Sequence, residues 1–347
     1  MDGTKSPAVL FDWHQKKKAT IIQRKEEFPG KLRAKIDEAA EEKLAPIAFL
    51  RRIESKLVTF LRKNFCDRDT EEQIEVAIRF FPNVLSTRQS GRCPIVWQLL
   101  SCTGEFNFKG ALLIPVLAKL GIELGQFEAG KRGGLIYEEG FRNALHIFAY
   151  NAGRKKEDDE HRQLVDESFL DIMKNLRGKG IFKKEDIRDH GLMWKLCRYV
   201  VFTEKRFRYL ADWDPGSLMM RNDRVSRSRG WLPIHYATTG PISKGIHVLQ
   251  TVFEVGMFHY PMEMGGLFHK NSSGETSFQL ACDKYGKKEV KKTIDGVLNI
   301  QQNTDIDIAK ALIYAATETV VGLDGIYFLL RREPSVLLQT AEQQQPQ

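Results

Sequence analysis

A short stretch of sequence recurs along the chain, and this recurrence constrains the fold more than any other feature. The clearest copies are Gly-Arg-Cys-Pro-Ile-Val at 91–96 and Gly-Trp-Leu-Pro-Ile-His at 230–235. The copy at 274–281 has serine in place of proline, and the copy at 143–149 lacks the glycine. Weaker copies lie at 45–48 and 192–196. Recurrence at this scale is typical of chains built from stacked structural repeats.

The copies are evenly spaced. With the proline-equivalent position as a marker, they fall at 46, 94, 144, 193, 233 and 277, separated by 40 to 50 residues. Glycine allows the turn that leads into each copy. Proline in the first helical turn loses no hydrogen bond, because its missing N–H would be unpaired there in any case. Each marker therefore predicts the beginning of a helix.

A second helical segment with one apolar stripe follows several of the markers. Residues at i, i+3, i+4 and i+7 share one face of a helix, which can then be buried. Such stripes are Ile74, Ala77, Ile78 and Phe81, and Phe169, Ile172, Met173 and Leu176. A third stripe has the spacing i, i+4, i+7 and i+8, which also shares one face: Val290, Ile294, Val297 and Leu298. Pro82, Pro215 and Pro334 predict helix ends, because proline disfavours a helical residue before it.

The predicted unit is helix, turn, helix and an extended connector. One unit cannot bury its own apolar face, but stacked units can, so we expect an all-α solenoid with long connectors. The solenoid is expected to occupy 45–337, with a C-terminal helical cap at 305–337. Residues 1–44 are interpreted as a basic N-terminal helical extension or cap, and the glutamine-rich 338–347 as a disordered tail.

At these positions the sequence resembles the ankyrin repeat family, whose signature is Gly-x-Thr-Pro-Leu-His-x-Ala-Ala. The best matches are 230–237 and 274–282, and Gly286 corresponds to the glycine between the two helices. The family's period is about 33 residues, so these repeats are degenerate and lengthened. The alternative is a HEAT-type repeat of about 40–47 residues, which gives no physical reason for the Gly-x-x-Pro-Ile-His pattern.

The resemblance implies roles for several residues. In the family, the signature histidine hydrogen-bonds neighbouring backbone, so His146 and His235 are interpreted as structural rather than as metal ligands. The residue after the signature glycine lies on the projecting loop and faces partners. Those positions are Arg92, Arg142, Trp231 and Glu275.

Composition excludes several classes of protein. The chain is 42% hydrophobic and 10% aromatic, enough to bury a core. The sequence has neither the apolar stretch of a signal peptide nor the roughly 18 apolar residues of a membrane span. The cysteines are odd in number and scattered, which favours free thiols in a reducing compartment: Cys66, Cys93, Cys102, Cys197 and Cys282. We therefore expect an intracellular protein, cytoplasmic or nuclear, without membrane contact.

The sequence contains little that indicates catalysis. Gly125 to Lys131 has the spacing of a phosphate-binding P-loop, but Arg132 stands where that loop needs serine or threonine, and the preceding segment has helical character. We interpret it as a flexible basic connector. The chain lacks a nucleophile elbow, a zinc-protease pair and a kinase signature. We expect no enzyme activity, no cofactor and no metal.

The connector before Trp231 is the strongest candidate for a binding site. Between 219 and 230 it holds four arginines and one aspartate: Arg221, Arg224, Arg227, Arg229 and Asp223. Arginine suits carboxylates because its planar fork binds them through two hydrogen bonds. The hypothesis is a non-enzymatic scaffold or adaptor that binds a protein partner with an acidic surface through its connector loops and its concave face. The alternative is nucleic-acid binding through the same basic loops, although few aromatics are interleaved with the charges.

Overall fold

The computed structural model describes residues 7–63, 69–87, 94–100, 108–137, 143–150, 159–198, 202–223, 229–239, 245–300, 308–332 and 334. Within these ranges the regular elements are α-helices and short 3₁₀ turns, and extended pairing is limited to isolated bridges. The expected all-α character is confirmed. None of the described helices is long and apolar enough to cross a membrane.

The chain divides into two compact units, the first formed by Met1–Phe148 and Gly153–Phe182. Two helices of the predicted N-terminal extension, α1 (Pro7–Gln23) and α2 (Gly30–Glu41), both pack on α3 (Pro46–Lys63). The helices that begin in this unit are α1 Pro7–Gln23, α2 Gly30–Glu41, α3 Pro46–Lys63, α4 Glu71–Phe80, α5 Ile95–Leu100, α6 Phe108–Leu112, α7 Ile114–Glu123, α8 Ala144–Tyr150 and α9 Asp159–Gly178.

The second unit is formed by Ala149–Ala152 and Lys183–Gln347. Helix α13 (Pro233–Thr238) lies at the centre of this unit's contacts, because it packs on α11 (Leu192–Arg198), α14 (His247–His259) and α15 (Ser277–Tyr285). The helices are α10 Lys184–Asp189, α11 Leu192–Arg198, α12 Glu204–Trp213, α13 Pro233–Thr238, α14 His247–His259, α15 Ser277–Tyr285, α16 Lys287–Ile300, α17 Ile308–Thr317 and α18 Leu323–Arg332.

A helix begins within one residue of every marker position. α3, α8, α13 and α15 begin at positions 46, 144, 233 and 277, while α5 and α11 begin at 95 and 192. The three predicted apolar stripes are buried in full. α4 and α12 end just before Pro82 and Pro215, and α18 ends two residues before Pro334. The predicted tail, 338–347, lies outside the described residues.

Five helix beginnings share one hydrogen-bond arrangement. The side chain three residues into the helix accepts a bond from the backbone N–H that precedes the helix, which satisfies a donor left unpaired there. The acceptors are Gln73, His146, Asp186, His235 and Gln279, at 2.7–3.1 Å from the N atoms of Thr70, Asn143, Lys183, Leu232 and Thr276. The signature histidine therefore acts as a local cap for its own helix.

Two helices pack closely against the 3₁₀ turn that follows them. α7 meets the turn at Ala129–Gly134, and α14 meets the turn at Met264–Gly266. A Cβ at Gly133 would lie 1.9 Å from the Ala118 carbonyl oxygen, and one at Gly265 would lie 2.9 Å from Gly256 C. Both turns read Gly-Gly-Leu at their ends, 133–135 and 265–267. The close approach requires glycine at both places.

The segment with P-loop spacing is part of the first of these turns. Helix α7 precedes it, whereas a P-loop follows a strand. Gly133, Gly134 and Leu135 are buried. These buried residues follow the segment itself, in which Gly125, Glu128 and Gly130 are exposed, so the interpretation of 125–131 as a flexible connector stays a prediction.

Candidate functional site

Four of the predicted binding residues lie within the described part of the chain: Arg221, Arg229, Trp231 and Glu275. All four belong to adjacent loops of the second unit. The other four, Arg92, Arg142, Arg224 and Arg227, lie outside the described residues.

A backbone bridge joins Asn222, near the start of the predicted basic connector, to Trp231, the residue after its end. Asn222 N donates to Trp231 O at 2.9 Å, and Gly230 N donates to Asn222 O at 2.9 Å. Gly230 has a φ of 72°, a left-handed conformation that glycine adopts without strain. The bridge holds Asn222 and Trp231, on the two sides of residues 224–228, next to each other.

A second loop, 269–276, lies beside this bridge. Ser272 Oγ donates to Arg229 O at 2.6 Å, and the Arg221 guanidinium donates to Lys270 O at 2.8 Å. Inside the loop, Asn271 Oδ1 accepts from Ser273 N at 2.8 Å and from Glu275 N at 3.0 Å. These bonds hold the loop in one conformation without a strand.

A third loop, 319–322, is hydrogen-bonded to the second loop. Lys270 N donates to Val320 O at 2.7 Å, and Gly322 N donates to Phe268 O at 2.8 Å. Thr276 Oγ1 donates to Asp324 Oδ2 at 2.5 Å. We call the described residues 221–223 and 229–231, together with 269–276 and 319–322, the loop row. Its members are joined by hydrogen bonds between residues 43 to 50 positions apart.

The predicted binding residues have different environments in the loop row. Arg229 and Glu275 are exposed. The Arg221 guanidinium is half-buried and also donates to Gly230 O at 3.0 Å, so it holds two loops together. Trp231 is half-buried, with its ring 5.2 Å from that of Tyr236. Arg221 and Trp231 therefore support the loop row from within, and Arg229 and Glu275 are available at its surface.

Beneath the loop row lie two buried histidines. Nδ1 of His235 accepts from Leu232 N at 3.1 Å, so the proton of the neutral ring resides on Nε2. Burial lowers the pKa of His235 to about 4, although the nearby backbone of Glu275 and His269 opposes the shift. Burial also lowers the pKa of His269 to about 4, and the Arg221 charge acts in the same direction. Both rings are neutral at physiological pH.

His269 is in contact with two further ionisable side chains, Tyr314 and Glu263. Its ring stacks at 6.3 Å from that of Tyr314, and its Nε2 lies 3.6 Å from Glu263 Oε2. Burial and the Glu263 carboxylate raise the pKa of Tyr314 to about 12. Burial raises the pKa of Glu263, and the Glu318 charge adds to this. We interpret the cluster of His269, Tyr314 and Glu263 as structural support for the second and third loops.

The described residues contain no group of three or more histidine, cysteine, aspartate or glutamate side chains that could hold a metal ion. Among the cysteines, Cys197 and Cys282 are described, and both are free thiols. Burial raises the pKa of the Cys282 thiol, which lowers its reactivity.

Sequence reasoning missed a groove of about 590 Å³ between α15, α16 and α18. Lysines at i and i+4 of α16 and arginines at the end of α18 line it: Lys287, Lys291, Arg331 and Arg332. The lysine spacing was a detectable signal, because residues four apart share a helix face. The sequence also places Lys288 and Lys292 at the same spacing, and it does not show which pair meets α18.

A scan against protein-family models and searches of curated proteins and of solved structures find no match to this chain.

Proposed function

We propose that this chain is a non-enzymatic scaffold that binds a protein partner with an acidic surface. The repeats are ankyrin-like and stacked, and the partner is bound through their connector loops. The observation that carries the proposal is the loop row. Three successive loops are tied side by side by backbone hydrogen bonds, and the basic connector is the first of them.

The arrangement supports binding because it is preorganised. The Asn222–Trp231 bridge and the Arg221 guanidinium fix the described ends of the connector, so these ends lose less conformational entropy when a partner binds. Arg229 is exposed at the root of the connector. Arginine at such a position binds carboxylates through two parallel hydrogen bonds.

The repeat assignment is supported by features that return at the marker spacing. Helices begin at or within one residue of the markers, and the capping bond recurs at three of them, with His146, His235 and Gln279 as acceptors. In the family, such stacks present their loops as a binding surface.

The first experiment is a pull-down from the source cell, with the partner identified by mass spectrometry and its affinity then measured with purified proteins. We expect the double variant Arg227→Glu with Arg229→Glu to abolish binding and to leave the melting temperature nearly unchanged. The control is Lys174→Glu with Arg177→Glu, an equal charge reversal at exposed positions of α9 in the first unit. Full binding by the Arg227/Arg229 variant would reject the connector as the site.

A salt titration separates the protein partner from nucleic acid. The logarithm of a nucleic-acid binding constant falls linearly with the logarithm of the salt concentration, with a slope set by the number of phosphates contacted. Binding of a protein partner is expected to be salt-sensitive but to retain a salt-independent part from apolar contacts. Tight binding of a single-stranded oligonucleotide that the Arg227/Arg229 variant loses would favour the nucleic-acid alternative.

A further inference from the structure

The groove between α15, α16 and α18 combines an aromatic floor with a basic rim. Phe278 and Phe328 form the floor, with ring centroids 6.2 Å apart, and Phe328 also packs on the buried Phe268 at 5.5 Å. Lys287, Lys291 and Arg331 lie around the rim. The floor belongs to the core of the second unit, so the groove is a fixed feature of the fold.

The carboxylates in the groove are already paired. Asp324 accepts from Thr276 Oγ1 at 2.5 Å and from Gly325 N at 3.1 Å. Asp295 pairs with Arg332, whose Nη1 lies 3.0 Å from Oδ1. Within the described part of the chain, Lys287, Lys291 and Arg331 make no ion pair. The groove lining therefore has four cations against two carboxylates, a net charge of +2.

Large apolar side chains on α18 extend the floor towards solvent. Tyr327 is 66% exposed and lines the groove, and Leu323, one helical turn earlier, is 68% exposed. Exposed aromatic and apolar side chains beside uncompensated charge are typical of binding surfaces rather than of a solvated helix face.

We propose that this groove binds an acidic protein segment that carries at least one aromatic or large aliphatic side chain. The apolar side chain packs on Phe278, Phe328 and Tyr327, and the flanking carboxylates bind Lys287, Lys291 and Arg331. The groove is separate from the basic connector, so the proposal adds a second site to the scaffold. The groove proposal rests on the proposed function in one respect, namely that the ligand is a segment of a protein.

The charge pattern favours a peptide over a nucleic acid. Asp295 and Asp324 interrupt the basic lining. A nucleic-acid backbone carries a negative charge at every nucleotide, so a strand bound along the groove would be repelled by these two carboxylates. A peptide can place neutral residues there and donate backbone N–H groups to the carboxylate oxygens.

The test uses the full chain and a displayed library of random twelve-residue peptides. We expect the selected peptides to be more acidic than the starting library and to share an aromatic or large aliphatic residue. A selected peptide, labelled with fluorescein, is then titrated with each variant and followed by fluorescence anisotropy. We expect Lys287→Glu with Lys291→Glu to weaken binding by roughly tenfold or more, since attraction becomes repulsion.

The matched control is Lys288→Glu with Lys292→Glu, which makes the same charge change on exposed positions of α16 outside the groove. We expect this control to change the affinity less than about twofold, because only long-range charge differs. Tyr327→Ala is expected to weaken binding without any change of charge. Tyr327 is mostly exposed, so this variant should fold normally.

Three results would overturn the groove assignment. They are selected peptides no more acidic than the library, equal weakening by the two lysine pairs, and an oligonucleotide that binds more tightly than the peptides and displaces them. The Arg227/Arg229 variant distinguishes the two proposals, because it should bind the groove peptide normally. Loss of peptide binding in that variant alone would place the peptide at the connector instead.

Discussion

His235 acts as a hydrogen-bond acceptor in the first turn of α13. Gln73 and Gln279 accept the equivalent bonds through Oε1 at 3.1 and 3.0 Å. We therefore expect His235→Gln to keep most of the free energy of unfolding. His235→Ala should lose about 1–3 kcal/mol, because the buried Leu232 N–H is left unpaired. Urea denaturation of the two variants measures the difference, and equal losses would contradict the acceptor role.

The two buried histidines make stability depend on pH. Their pKa values fall from 6.5 to about 4 on folding, so between these values the folded protein binds fewer protons than the unfolded chain. Their contribution is fully present above pH 6.5 and is lost as the pH falls towards 4. Within this range, each histidine changes the free energy of unfolding by up to about 1.4 kcal/mol per pH unit.

Urea midpoints at about pH 7 and about pH 5 test this dependence. The wild-type chain should lose stability between the two, and His235→Gln should lose less, because glutamine does not titrate. An unchanged loss in that variant would show that other groups cause the pH dependence.

At the scale of the element, the packing of α7 against its following turn depends on Gly133. Alanine there would require a φ of +65° and would place Cβ 1.9 Å from Ala118 O. The left-handed backbone costs roughly 1–2 kcal/mol. Overpacking adds about 1–3 kcal/mol. We expect Gly133→Ala to lower the free energy of unfolding by the sum of these two effects.

Gly125→Ala is the matched control for this substitution. Gly125 has a φ of +60°, and no atom lies within 4 Å of a Cβ built on it. It should therefore show only the backbone cost. Thermal denaturation of both variants compares them, and equal losses would mean that the close approach to α7 contributes nothing to stability.

At the scale of the whole molecule, the contacts divide the chain between Phe182 and Lys183, except that Ala149–Ala152 is assigned to the second unit. Each unit has its own buried core. A unit with its own core is expected to fold alone. Fragments 1–182 and 183–347 should therefore each give a helical circular dichroism spectrum and a cooperative thermal transition. A fragment with a helical spectrum but no cooperative transition would show that its core is incomplete without the other.

The sequence by itself determined the helical character, the helix beginnings at the markers and the buried stripes. These follow from local rules, because 3.6-residue periodicity, proline and capping side chains act within a few residues. The pattern also located the basic connector and predicted the roles of Arg229 and Glu275 as loop residues. Their function as partner contacts stays a prediction.

Only the tertiary structure decided how the loops and the groove are built. Arg221 looks like the other connector arginines in the sequence, yet its guanidinium binds Lys270 O, 49 residues away. Lys287 and Lys291 have the same spacing as Lys288 and Lys292, and only the packing of α16 against α18 places the first pair in the groove. The physical reason is that these contacts join residues far apart in the chain, and no local pattern records which face of a helix meets which neighbour.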